Sequence, residues 1–284
     1  MVERLAEIQA RIANLGDLQD IMAAMRALAG MRLARAQSAL PGIRQYTEVI
    51  NFALARGLAL TGEAGRHVGG AQSSGGRMAV VAFTSEHGFA GAYNEHVLDA
   101  AWQLAADGHR LLVVGSRGRI KADERGYTVA YWQPMATHID GVLDIVLRCA
   151  EEIYKRLAQD VERVTLVFGR LSGGVSWKVG VEPVLPFDAG AFTRADAVAP
   201  MVYLDPTDLF DKVVEEFLFT RLMHAALESF ASENAARLTA MEAAHDNIES
   251  KLENLNRQAC QQRQEEITTE LLDVVIGATA ARRN

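Results

Sequence analysis

The chain has 284 residues, 49% of them hydrophobic and 23% charged, a balance that fits a folded globular protein and excludes disordered and collagen-like chains. A formal charge of −7 with aromatics at 7% argues against a general nucleic-acid binder, which needs a net basic face. Two cysteines, Cys149 and Cys260, are too few and too far apart for a disulfide framework or a zinc site and fit a reducing compartment.

The N-terminus, MVERLAEIQARI, carries charges where a secretory signal needs an apolar core, and no stretch approaches the roughly 18 apolar residues of a membrane span. The chain is not expected to cross a membrane by itself. Leu5, Ile8, Ile12, Leu15, Leu18, Met22, Met25 and Leu28 recur at spacings of three and four, which predicts a long amphipathic helix over 1–58. Pro41-Gly42 is expected to bend or loosen it, because proline removes a backbone donor.

Gly69-Gly70 and Ser73-Ser74-Gly75-Gly76 read as a flexible lead-in to an α/β segment over 77–190. Its predicted elements are strand 78–83, helix 92–107, strand 110–115, helix 117–125, strand 127–132, helix 139–159 and strand 162–168. That βαβ rhythm implies a Rossmann-like domain with a mainly parallel sheet, and 173–184 adds an antiparallel hairpin.

All six prolines precede residue 207, and no glycine lies between Gly190 and Gly277, so a second long helix is expected over 206–280. Asp205-Pro206 starts it, Asp208 and Asp211 favour its positive end, and Gly277 stops it. Leu238, Met241, His245, Ile248, Leu252, Leu255 and Ala259 form a heptad seam. His245 interrupts that seam as a hydrated or hydrogen-bonded polar residue rather than a ligand. Residues 261–266, QQRQEE, are polar on every side, and Ile267, Leu271, Val274 and Val275 then restore an apolar stripe. Seventy helical residues span roughly 105 Å, against a diameter of about 50 Å for a compact chain of this size, so a continuous helix must protrude. A pair of helices joined by a tight turn is the alternative, but the segment offers no Gly, Pro or Asn-Gly to make one. Two seams at opposite ends of the chain suggest a long antiparallel coiled coil. From Asp205 onward there are 8 Lys and Arg against 15 Asp and Glu, which is the whole of the excess negative charge.

Sheets of this type bind nucleotides at the carboxyl ends of their strands. Two loops qualify, 85–91 (SEHGFAG) and 115–119 (GSRGR). Neither has the spacing of a phosphate-binding fingerprint, and Glu86 would repel phosphate, so glycines for tight turns are the favoured reading. His87 and His96 lie near Ser and Asp residues, but there is no nucleophile elbow and no HExxH-type ligand pair. No catalytic residue, cofactor or metal is assigned. On these residues alone, a stand-alone α/β nucleotide-binding enzyme with a helical oligomerisation arm and a coiled-coil scaffold both stay open.

The residues from Ile267 to Ala280, ITTELLDVVIGATA, resemble the closing motif of the gamma subunit of F-type ATP synthases. Residues 228–241, ESFASENAARLTAM, with Asp246-Asn247, are similar to that family's upstream motif. Ile21, Met25, Leu28, Ala29 and Arg32 fall on its N-terminal pattern, and Ser85, Gly88, Gly91 and Asn94 on the loop after its first strand. The resemblance covers essentially the whole chain, in the right order. It implies a rotor shaft coiled into a head of alternating alpha and beta subunits, with a foot contacting epsilon and the membrane ring of c subunits. Ion flow through that ring turns the shaft, and the catalytic residues belong to beta, so this chain would be a non-catalytic subunit. The resemblance further implies a peripheral position at the cytoplasmic face of the bacterial inner membrane.

The resemblance assigns head contacts to Met25, Arg32, Arg237, Gln264, Thr268 and Glu270. Several residues depart from the family pattern. Ala or Gly stands at often basic positions around Met25, Glu86-His87 replaces an acidic-basic pair, Ala90 replaces a cysteine, and the balance is acidic where relatives are commonly basic. The redox insertion of chloroplast members is absent. These departures suggest a divergent bacterial member, of an alternative ATPase pumping sodium or protons.

Overall fold

A computed structural model describes residues 2–61, 76–106, 108–188, 192 and 202–281; residues 62–75 of the glycine- and serine-rich lead-in lie outside them. In chain order the elements are α1 (Val2–Thr61), β1 (Arg77–Phe83), α2 (Tyr93–Ala105), β2 (Arg110–Val114), α3 (Ser116–Glu124) and β3 (Val129–Gln133). A 3₁₀ turn (Ile139–Gly141), α4 (Val142–Leu157), β4 (Val161–Gly173), β5 (Ser176–Leu185) and α5 (Pro206–Ala281) follow. The chain divides into two compact units, one of Met1–Leu28 with Thr239–Asn284 and one of Ala29–Leu238.

In the second unit the sheet order is β3-β2-β1-β4-β5. The first four strands are parallel and β5 is antiparallel to β4, as the βαβ rhythm and the hairpin expectation require. Pro183 sits in the edge strand β5 opposite Thr165, beside an irregularity in the register, where a missing donor is tolerated. Alternation along β1 buries both faces of the sheet. Ala79, Val81 and Phe83 pack with α4 and the two long helices, while Val80 and Ala82 pack with α2 and α3. Near-continuous apolar strands are what a sheet covered on both sides needs.

Within this unit α1 and α5 run antiparallel. Arg44 meets Glu228, Asn51 meets Arg221 and Gly57 faces Phe210. From Ala225 to Arg237 every residue of α5 is buried. Seven of those thirteen are Ala or Ser, small enough for strand and helix backbones to approach from all sides. One close approach to this stretch is at Gly169 of β4, where a Cβ would stand 2.6 Å from the Tyr93 ring and 2.7 Å from Ser232 Cβ. Gly169→Val is therefore expected to destabilise this unit by about 1–3 kcal/mol through overpacking, read as a lower urea midpoint at unchanged slope.

The buried stripe of α1 keeps a strict three-four alternation. In the first unit it passes through Leu5, Ile8, Ile12, Leu15, Gln19, Met22 and Arg26, all half-buried. In the second it passes through Ala29, Leu33, Ala36, Leu40, Ile43, Thr47, Ile50, Leu54 and Gly57. Leu18 and Leu28, expected in the seam, are instead 44% and 41% exposed. A heptad selects positions by phase, and here that phase passes through Gln19 and Arg26. The helix continues through Pro41; Pro41 and Gly42 are both exposed, so the missing donor falls on the solvent side.

On α5 the expected seam holds. Ile248, Leu252, Leu255 and Ala259 are half-buried between exposed neighbours, and His245 is half-buried in line with them. Asp205 caps the helix, its Oδ1 accepting the amides of Thr207 at 2.8 Å and Asp208 at 3.4 Å. Gly277 does not stop it; the helix runs on to Ala281. Among the described residues no helix is long and apolar enough to cross a membrane.

Candidate functional site

The carboxyl ends of β1, β2 and β3 are where a doubly wound sheet presents a ligand position. Here that position is filled from within. Glu86, in the loop after β1, accepts the Ser116 amide at 3.0 Å, the Ser116 hydroxyl at 2.6 Å and the Met135 amide at 2.7 Å. Ser116 is the first residue of α3, so the carboxylate takes the free donors and positive dipole of a helix start, which a bound anion would otherwise take. Gly115, at φ +120°, and Gly118 let this turn close over Thr84, whose side chain a Cβ at Gly118 would strike. Burial alone would raise the Glu86 carboxyl, but the hydrogen bonds from Ser116 and Met135 outweigh it and hold it below the usual carboxylate range.

That shift has a sign. A lowered folded-state value adds stability above the unfolded carboxylate range and loses it as pH falls through the folded value. Glu86→Gln is expected to flatten the acid limb of the stability profile below about pH 5, measured as urea midpoints of the two chains across pH.

The rest of the loop is anchored to α2 and α5. Asn94 accepts the Ser85 amide at 2.9 Å and donates to its hydroxyl at 2.8 Å. Ser85 Oγ donates to the His87 carbonyl at 2.8 Å. From α5, Arg237 donates to the carbonyls of His87 and Gly88 at 3.3 Å and pairs with Glu233 at 2.7 Å. Tyr93 and Ser229 join hydroxyls at 2.5 Å, and Ser229 donates to the Phe83 carbonyl at 3.1 Å. The end of β1 is thus tied to the buried stretch of α5 on two sides. Phe89, at φ +65°, carries the loop's exposed tip.

The residues assigned to head contacts fall into two groups. In the second unit Arg237 pairs with Glu233, and Arg32 interacts with the same carboxylate through charge alone. Burial pushes Glu233 up against the opposing pull of Arg237 and Arg32, while burial and then Arg237 lower Arg32. The Arg237 side chain is only 6% exposed, so it acts within the chain, holding the 86–89 loop. In the first unit Met25 is half-buried, whereas Gln264, Thr268 and Glu270 are exposed. Thr268 Oγ1 donates to the Gln264 carbonyl at 2.8 Å. Beyond them Ile267, Leu271, Leu272, Val274 and Val275 are all more than half exposed. The apolar stripe expected there is an outward surface.

His87 contributes its carbonyl to the loop, and the His96 ring lies 5.8 Å from that of Trp177. Among the described residues, one group brings three possible metal ligands together. It consists of His245, Asp246 and Glu249, whose ligand atoms lie within 4.8 Å of one another and whose carboxylates are exposed. Sequence reasoning missed the donors around Glu86. The available signal was an acidic residue in one βα loop and a Gly-Ser helix start in the next, two halves of an anion contact.

The chain matches a family model described as ATP synthase over residues 4–281. A protein named ATP synthase gamma chain from Chloroherpeton thalassium is 29% identical, with 99% of both chains covered. The protein of that name from Solibacter usitatus is also 29% identical, covering 98% of this chain and 99% of its own. Among solved structures, a chain of the Euglena gracilis mitochondrial ATP synthase rotor shares the fold at a TM-score of 0.69 and 14% identity. That match covers 94% of this chain and all of the other. A chain of the Tetrahymena thermophila central stalk and c-ring structure aligns at a TM-score of 0.55 and 22% identity, over 79% of this chain and 99% of its own.

Proposed function

The chain belongs to the ATP synthase family, and from that premise we propose that it is the gamma subunit, the central-stalk rotor of an F-type ATP synthase. It couples ion flow through a membrane c-ring to ATP synthesis or hydrolysis in a head of alpha and beta subunits, and its foot meets epsilon. It supplies no catalytic group to that reaction. It works at the cytoplasmic face of a bacterial inner membrane, held there through the complex, and the coupling ion is a proton or sodium.

The observation that carries this reading is the family match, which takes in both long helices and the α/β unit between them in sequence. The exposed end of α5 supports it. Gln264, Thr268 and Glu270 offer polar contacts that exchange readily, beside an apolar surface from Ile267 to Val275. A charge-assisted hydrogen bond accepted by Glu270 contributes about 1.5–3 kcal/mol in a given angular state, enough to favour one orientation without arresting rotation. Met25, Arg32 and Arg237 complete the contact set, Arg237 through the loop it holds. A stand-alone nucleotide enzyme would need the position that Glu86 occupies.

The test is co-expression with alpha and beta subunits and a quantified pull-down. The expected result is one copy of this chain per three alpha and three beta subunits, with no nucleotide turnover by the chain alone. A chain that stays alone and turns over nucleotide overturns the proposal.

A further inference from the structure

A cavity of about 560 Å³ opens within the second unit where α1, the β4–β5 hairpin and α5 converge, a size usual for small-molecule sites. One wall is aromatic. The Phe217 ring lies 5.8 Å from that of Phe187 and 5.9 Å from that of Phe192. The other wall carries three guanidiniums, from Arg44, Arg170 and Arg221.

The carboxylates among them are already engaged. Glu228, 1% exposed, accepts Arg44 at 2.8 Å and the Leu171 amide at 3.2 Å. Glu182 accepts Arg170 at 2.8 Å and Arg221 at 3.2 Å. Each guanidinium has five N–H donors and a carboxylate only two oxygens, so donors outnumber the acceptors that reach them, and Arg170 Nε is buried with no hydrogen-bond partner. Burial lowers the His224 imidazole; in formal charge Glu182, Glu228 and Asp188 match the three guanidiniums, so the cavity offers spare N–H donors rather than a net positive charge. Asp188 lines the cavity from an exposed position.

We infer that this cavity binds a small organic anion, with an aromatic or aliphatic body against the phenylalanines and a carboxylate head on the arginines. Guanidinium forks match a planar carboxylate with paired hydrogen bonds. An inorganic anion would leave the aromatic wall uncovered, and a neutral ligand would leave the surplus donors unmet. The bound molecule would touch α1, β4, β5 and α5 together. The inference rests on this geometry and not on the rotor reading.

The experiment titrates the purified chain with 3-phenylpropionate by ligand-observed NMR. Two comparators are 3-phenylpropanol, which has the body without the charge, and inorganic phosphate, which has the charge without the body. Saturable binding of the carboxylate with a Kd in the roughly millimolar range is expected for so small a ligand, at least about tenfold tighter than either comparator. Arg221→Gln is expected to weaken it about tenfold, as is Arg44→Gln; because Arg44 pairs with Glu228, which is 1% exposed, circular dichroism checks that each variant keeps its fold before its Kd is compared. Absence of saturable binding, equal binding of acid and alcohol, or an unchanged Kd in Arg44→Gln overturns the inference.

Discussion

Alanine in place of Glu233 is expected to destabilise the 29–238 unit by about 3–5 kcal/mol, the usual cost of removing one partner of a buried ion pair. The Arg237 guanidinium is 6% exposed and has Glu233 as its charged partner at 2.7 Å. Without that carboxylate its acceptors are the carbonyls of His87 and Gly88 at 3.3 Å and Asn234 Oδ1 at 3.5 Å. Arg32, already lowered by burial and by Arg237, would also lose the carboxylate that offsets their repulsion. Glu233→Gln keeps the shape and an acceptor, and burial already disfavours the charged carboxyl, so it should cost well under half as much. Urea unfolding of the three chains at pH 7 separates these cases. If the alanine chain lies within about 0.5 kcal/mol of the parent, the range of ordinary surface substitutions, the Glu233–Arg237 pair holds nothing together.

Truncation after Gln262 carries the largest expected functional effect. It removes Gln264, Thr268 and Glu270 with the exposed residues Ile267, Leu271, Leu272, Val274 and Val275, while the 29–238 unit keeps every residue. Assembly with alpha and beta subunits should persist. ATP-driven ion pumping should fall about tenfold or more, a loss of at least 1.4 kcal/mol in the coupled step. Pumping by reconstituted complexes, normalised to the amount assembled, is the measurement. Unchanged pumping would mean that the coupling contacts lie elsewhere on the chain.

Most of the fold was legible because it obeys local rules. The strand positions follow from short apolar runs between turn signals, and the α5 seam from a regular three-four spacing. The α1 seam was legible only in part. Its phase is held by Ala29, Leu33, Ala36 and Leu40, so the first unit's buried positions include Gln19 and Arg26 rather than Leu18 and Leu28. Residue type alone cannot show that. Gly277 misled for a different reason: glycine permits a helix stop and does not impose one. At the candidate site the charge of Glu86 was visible, but its partners come from β2's and β3's exits, 30 and 49 residues away in sequence. The cavity wall likewise gathers Arg44, Arg170 and Arg221 from three distant segments.

The carboxylate of Glu86 works as a clasp between three segments of the sheet's carboxyl end: the loop after β1, the start of α3 and the exit of β3. With the helix start and the β3 exit already joined by an internal anion, the register between these three segments is set by the polypeptide's own groups.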